Sequence, residues 1–276
     1  MCAKDLKIVA GDSSSVTLPH VPDHEVSGIV VETGGEVVDF KVGDRVCCHF
    51  TVACRRCPSC RRGDTNVCLN VRDGKVAGRL GFEWPGGYAT AYRATAVRGA
   101  RSQNDVVGII GTAGGLGIHA LQIAGVLGTE TIAIDVGEER LNIARSFGAD
   151  HCIPLDARRD LLTSMRADVV VDCAGVLERS GDLIELLRPG GRLVAVGYSY
   201  EDRVGLDYYP FVTTEKEIVG CRGATMNDLR AAIDMVIAGD VEPVVTKRLP
   251  LVDANAALEH VASRGHVGRT VLDVAA

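Results

Sequence analysis

Between residues 106 and 197, short apolar runs alternate with helix-patterned stretches, and few folds accommodate that order. The runs are VVGIIG (106–111), TIAID (131–135), DVVVD (168–172) and RLVAVG (192–197). Each is rich in Val and Ile and apolar on both faces, as strands of a parallel sheet covered on both sides must be. Between them lie LGIHALQIAGVLG (116–128), EERLNIARSFG (138–148) and ERSGDLIELL (178–187). The second carries Leu141, Ala144 and Phe147 on one stripe and Gly148 as its stop, and the third ends before an RPGG turn. Strand, helix, strand repeated predicts an α/β fold, a doubly wound parallel sheet.

The first strand of this series runs into GTAGGLG, with Gly111, Gly114, Gly115, Leu116 and Gly117 between it and a helix start. Glycines there let the backbone approach a pyrophosphate, which the N–H groups of the helix N-terminus then bind. A glycine-rich turn alone is a weak signal, since many strand–helix junctions need one. Asp135 strengthens it, ending the next strand 18 residues after Gly117. A dinucleotide fold places there the carboxylate that accepts from the adenosine ribose hydroxyls. That anion repels a 2′-phosphate, which favours NAD over NADP. Arg140, five residues past Asp135, is the candidate to reach the ribose or its phosphate.

The first ninety residues differ. EVSGIVVETGGEVVDFKVGDRVCCHF breaks short Val-rich runs with GG and VGD turns and reads as a β-rich barrel or sandwich. After EIVGC (217–221) come a helix with Leu229, Ile233, Val236 and Ile237 on its apolar side, the run VVTKRLP, a helix around ANAALEHVA and a final strand GRTVLDV. These segments divide the chain into 1–92, 93–240 and a 241–276 return to the first domain. A net charge of −6 gives no basic footprint for nucleic acid or anionic lipid. No run reaches the ~18 apolar residues of a membrane span, and the start lacks a secretion signal, so a cytoplasmic chain with a small-molecule ligand is expected.

Cysteines 54, 57, 60 and 68 follow C-x2-C-x2-C-x7-C spacing among Arg, Gly and Asp residues, too polar a segment for four core cysteines. In a reducing compartment such a cluster binds zinc, and four thiolates close the tetrahedral shell, so the site is structural.

The chain resembles the zinc-dependent medium-chain alcohol dehydrogenases. The similarity lies in PDHEVSGIVVETGGEVVDFKVGDRV, the four-cysteine lobe, GTAGGLG, IDVGEERLNIARSFGAD, LLRPGGRLVAVG and VGRTVLDV, in family order over nearly the whole chain. The resemblance implies a GroES-like catalytic domain, here incomplete, with a Rossmann domain inserted. It implies NAD and zinc as cofactors, an alcohol or carbonyl substrate, and a homodimer or homotetramer. It also implies a catalytic zinc held by Cys2 and His24, with Glu25 as the neighbouring acid.

Several positions depart from the family pattern. Asp23 stands for the glycine of Gly-His-Glu, in a turn that prefers positive φ. Lys4 and Lys7 stand where many members carry the Ser or Thr and the His of a proton relay. Strands that precede the cysteine in the family are missing before Cys2, and the stretch that carries the third catalytic zinc ligand is missing within GGYATAYRATAVRGA (86–100). Cys47, Cys48 and His49 are spare donors, although consecutive strand residues face opposite sides. Two other readings remain: a zinc-independent quinone or enone reductase of the same superfamily, and a nucleotide-binding remnant without activity.

Overall fold

The computed structural model describes the chain apart from residues 13–15, 17–19, 74–77, 80–92, 101, 158–163, 165, 177–179, 199–202, 204, 264 and 275–276. The GGYA stretch of the sequence reading lies outside the described residues. Among the described residues there are ten strands, of which β1 (Ser27–Ile29) and β2 (Arg45–Cys47) form an antiparallel ribbon near the start. Six build the central sheet: β3 (Val106–Ile110), β4 (Glu130–Asp135), β5 (His151–Pro154), β6 (Ala167–Asp172), β7 (Leu187–Ala195) and β8 (Glu217–Gly220). All pairings among them are parallel, in the order β5-β4-β3-β6-β7-β8. Because β3 has β4 on one side and β6 on the other, the chain reverses its direction of travel there, and a crevice opens beyond the strand ends.

The two-residue period of a strand sends Val107 and Ile109 to one face, against Leu121, Ala124 and Ala144. Ile110 and Leu193 go to the other, against Leu183, Ile184 and Leu187. The helices Gly117–Val126 and Glu138–Ser146 therefore cover one side of the sheet and Ser180–Glu185 the other.

Three details differ from the sequence reading. RPGG is part of a strand: β7 runs through it, and the pairing of β6 and β7 slips between Ala167 and Val169 to absorb the irregularity. Strand β5, four residues with a half-buried pattern, carries too little apolar signal to stand out. The helix Met226–Ala238, opened by a Thr225–Asp228 capping box and closed by Gly239 at φ 81°, buries Leu229 and partly Ile233, but Val236 and Ile237 are 41% and 78% exposed because the burial ends before the last turn.

The return segment supplies β9 (Val245–Pro250) and β10 (Arg269–Asp273), paired parallel, with the helix Ala254–Ala262 between them. That helix contacts the first helix, Ala3–Val9. Just before β10, Gly268 bridges to Gly114, its N–H donating to the Ala113 carbonyl at 3.0 Å. The segment leading into β10 thus lies on the glycine-rich turn.

Candidate active site

The thiol lobe is a series of tight turns from Cys54 to Cys68 around the four-residue helix Pro58–Arg61. The Sγ atoms of Cys54, Cys57, Cys60 and Cys68 lie within 4.8 Å of one another, with Cys54–Cys60 and Cys57–Cys68 each at 3.9 Å. Thiolates bonded tetrahedrally to zinc at 2.3 Å are about 3.8 Å apart, so the donors fit that ion. Backbone N–H groups already point at sulfur, from Cys54 to Cys68 and from Cys57 to Cys54, both at 3.4 Å. The Cys60 N–H draws the Cys57 thiol down to about 6, whereas burial and its thiol neighbours push Cys60 up to about 12. A bound cation removes that last proton.

The second centre starts at the helix Ala3–Val9. Cys2 is its N-cap: its Sγ accepts from the Lys4 N–H at 3.3 Å, while Asp5 Oδ2 accepts from the Cys2 N–H at 2.8 Å. Asp5 Oδ1 takes the Asp23 N–H at 3.2 Å and stands 3.7 Å from His24 Nδ1, which turns Nε2 of that ring toward Cys2 Sγ at 3.3 Å. Asp23 holds φ at 89°, the backbone that the family's glycine would give, and its own Oδ1 steadies the turn by accepting from Glu25 N–H at 2.9 Å. One donor atom each from Cys2, His24 and Glu25 falls within 4.8 Å of the others. Zinc–sulfur and zinc–nitrogen bonds at a tetrahedral angle place their donors about 3.6 Å apart, so Cys2 and His24 also fit zinc. Burial disfavours a charged imidazole, but Asp5 and Cys2 outweigh it and push His24 up to about 11, so metal binding here releases a proton.

At the glycine-rich turn, Gly111 adopts φ 74° and Gly117 opens its helix with no room for a side chain: a Cβ there would stand 2.2 Å from the Gly111 carbonyl oxygen. Asp135 is buried and saturated. Its Oδ2 accepts from Ala113 N–H at 2.7 Å and Arg140 Nη2 at 3.2 Å, and its Oδ1 from Val136 N–H and Arg140 Nε, both at 2.8 Å. Arg140 Nη1 reaches the His266 carbonyl at 2.8 Å. The carboxylate stands at the end of β4, and a guanidinium clamps it.

Sequence reasoning missed two residues. Asp5 orients His24, and its signal was the acidic residue three after an N-cap. Arg269 had no local signal: it lies over Gly115, within 2.7 Å of a Cβ built there, and its Nη1 is 3.2 Å from Glu25 Oε1. It connects the two halves of the site. His49, a spare donor by sequence, is a structural link whose Nε2 meets the Ala224 carbonyl at 2.8 Å.

Comparison with known proteins adds a second line of support. Residues 1–102 match the alcohol dehydrogenase GroES-like domain and residues 115–238 the zinc-binding dehydrogenase domain. The chain is 30% identical to an NAD-dependent alcohol dehydrogenase of Sulfurisphaera tokodaii over 97% of this chain and 85% of that one. It is 29% identical to one of Sulfolobus acidocaldarius over 99% and 89%. The structure of a thermostable alcohol dehydrogenase from Pyrobaculum aerophilum superposes with a TM-score of 0.86 at 27% identity, covering 98% of this chain and 87% of that one. With two metal-fitting donor sets, a doubly wound sheet and relatives along nearly its whole length, the chain belongs to the zinc-binding alcohol dehydrogenases of the medium-chain dehydrogenase/reductase family.

Proposed function

We infer that the protein is an NAD-dependent, zinc-containing alcohol dehydrogenase that moves hydride between a small alcohol and NAD. The observation that carries this reading is the Glu25–Arg269–Gly115 connection, which brings a metal-fitting donor set beside a dinucleotide turn. When bound, zinc supplies a Lewis acid that polarises the substrate oxygen, and NAD supplies the hydride acceptor.

The chain's own residues do the rest. Cys2 and His24, with Glu25 adjacent, hold the metal, and Asp5 keeps the His24 ring in register. Gly111, Gly114, Gly115, Leu116 and Gly117 leave room for the pyrophosphate, while Asp135 and Arg140 address the adenosine ribose. Cys54, Cys57, Cys60 and Cys68 fix a loop with a second zinc. Residues 1–92 and 241–276 form the catalytic part and 93–240 the nucleotide part of this assignment. Exposed Tyr208, Tyr209 and Val212, on the helix leading to edge strand β8, support assembly as a homodimer or homotetramer. A cytoplasmic location belongs to the same proposal; no helix among the described residues is long and apolar enough to cross a membrane.

The test is absorbance at 340 nm with NAD, zinc and a panel of primary, secondary and polyol alcohols. NADH formation that is lost in both Cys2→Ala and His24→Ala supports the assignment. With NADH supplied in place of NAD, reduction of quinones or enones that survives both substitutions instead selects the zinc-independent reductase.

A further inference from the structure

Three consecutive residues between β8 and the helix Met226–Ala238 are each held by a residue from the N-terminal part of the chain. Asn66 Nδ2 donates to the Arg222 carbonyl at 2.7 Å, the Phe50 ring lies against Gly223, and His49 Nε2 meets the Ala224 carbonyl at 2.8 Å. A Cβ built on Gly223, whose φ is 53°, would stand 2.4 Å from Phe50 Cζ, so the ring comes this close only because the residue is glycine.

Asn66 belongs to the thiol lobe. It lies in the 3-10 turn Thr65–Val67, just before Cys68, and both residues are buried. Four thiols gathered around one cation fix that turn, and with it the direction of the Asn66 amide.

Phe50 carries the contact on. It packs on Ile8 of the helix that Cys2 caps, and its ring centroid is 6.2 Å from that of His24. Residues 222–224 thus touch the lobe directly and, through Phe50, the imidazole beside Cys2. The same segment follows β8 at its carboxyl end, and ligands of a parallel sheet bind outside such ends. Close-packed groups transmit small displacements, and a shift of about 1 Å at a reacting centre can cost about a hundredfold in rate. The glycine-rich turn stands apart from this contact: it leaves β3, and β8 lies three strands away across β6 and β7, about 14 Å at ordinary strand spacing.

We propose that Asn66 is a positioning residue for hydride transfer: by holding Arg222 it seats the 222–224 segment against Phe50 and His24, so that the folded thiol lobe sets the distance between the metal donors and the sheet edge. This rests on the dehydrogenase reading and gives the lobe a part in it beyond fixing its own loop.

The test uses two variants of the zinc-loaded protein. Asn66→Asp keeps the shape of the side chain but offers the Arg222 carbonyl no donor. Gly223→Ala leaves the lobe unchanged and adds a methyl group that meets the Phe50 ring from the other partner of the contact. In both, zinc content and the Kd for NAD should stay within about twofold of the parent, while kcat with the best alcohol of the panel falls about tenfold. General damage lowers cofactor binding together with kcat. Hydrogen exchange without substrate is a readout independent of turnover. The amides of Cys221 and Thr225, bonded to the Ala195 carbonyl and to Asp228, and those of Asp23 and Glu25 on either side of His24 should all exchange about tenfold faster. If Asn66→Asp loses its zinc, Gly223→Ala alone decides. If no alcohol is oxidised but exchange rises at both places, the coupling stands and the dehydrogenase reading falls. If alcohols are oxidised and kcat holds within about twofold, or NAD affinity falls with kcat, or exchange rises at 221–225 alone, the proposal is overturned while the dehydrogenase reading stands.

Discussion

Arg269 Nη1 lies 3.2 Å from Glu25 Oε1, with the stem of the same side chain against the backbone of Gly115. A single side chain from the last strand thus touches the acid beside His24 and the turn that opens the nucleotide helix. Both ends of this contact are well covered, at 11% and 10% side-chain exposure, where a pair of charges is screened little by solvent. Arg269→Met should weaken NAD binding about tenfold or more, roughly 1.4 kcal/mol, and should also lower kcat/KM. Titration of cofactor fluorescence beside steady-state kinetics checks it; unchanged affinity would detach Arg269 from the nucleotide.

Gly117→Ala places a methyl group 2.2 Å from the Gly111 carbonyl oxygen and 2.7 Å from Thr112 Cα, and backbone atoms cannot swing aside. The helix must move off the strand instead. The expected cost is about 1 to 3 kcal/mol, with a melting temperature lower by several degrees. Gly125→Ala, in the same helix with nothing within 4 Å, is the control and should be neutral or slightly stabilising.

For the four-thiol lobe, we expect one zinc per chain bound by Cys54, Cys57, Cys60 and Cys68, since the sulfurs already stand at tetrahedral spacing. Cys60→Ser should lower zinc content by that one ion and speed proteolysis between residues 54 and 68. Metal analysis together with limited proteolysis decides; full zinc retention in the variant would exclude Cys60 as a ligand.

Asp135 couples cofactor choice to stability. Its carboxylate holds Ala113 N–H and Arg140, and it is the group proposed for the ribose, so Asp135→Ser should narrow the preference for NAD over NADP and loosen the turn together. Equal affinity of the unmodified protein for both cofactors would remove Asp135 from its assigned role.

A pH effect is expected at Asp150, away from both metal centres. The Thr131 hydroxyl, at 2.7 Å, and the Thr131 N–H, at 2.8 Å, hold its carboxyl below the usual range. A depressed folded value contributes stability that is complete above the unfolded value, near 3.9, and disappears as pH falls through the folded one. Asp150→Asn should therefore be less stable than the parent at pH 7, with the difference shrinking as pH drops below 4. Denaturant midpoints at pH 7 and pH 3 measure it.

What the sequence revealed depended on how local the signal was. β3, β4, β6 and the second half of β7 were legible because burial writes them as Val- and Ile-rich runs, whereas the half-buried β5 was not. The thiol lobe was legible because its four cysteines lie within fifteen residues. The angle at Asp23 was legible too, through the glycine it replaces. Arg269, by contrast, meets Glu25 across 244 residues of chain, and no periodicity encodes that distance. The clamp of Arg140 on Asp135 was half legible: the spacing placed both near a ribose, but their attraction for one another is a property of the folded geometry. Val236 and Ile237 were misread because a helical stripe does not show where its neighbours end.

The bridge from Gly268 to Gly114 also constrains when the nucleotide turn can form. Residues 111–117 leave the ribosome some 150 residues before Gly268 and Arg269, a delay of about 8 to 30 seconds at ordinary synthesis rates. During that interval the turn lacks the strand that flanks it and the cation that lies over Gly115. Completion of the turn is thereby postponed until translation reaches β10, and a product terminated before Gly268 carries the glycine-rich sequence without the backbone bridge that flanks it.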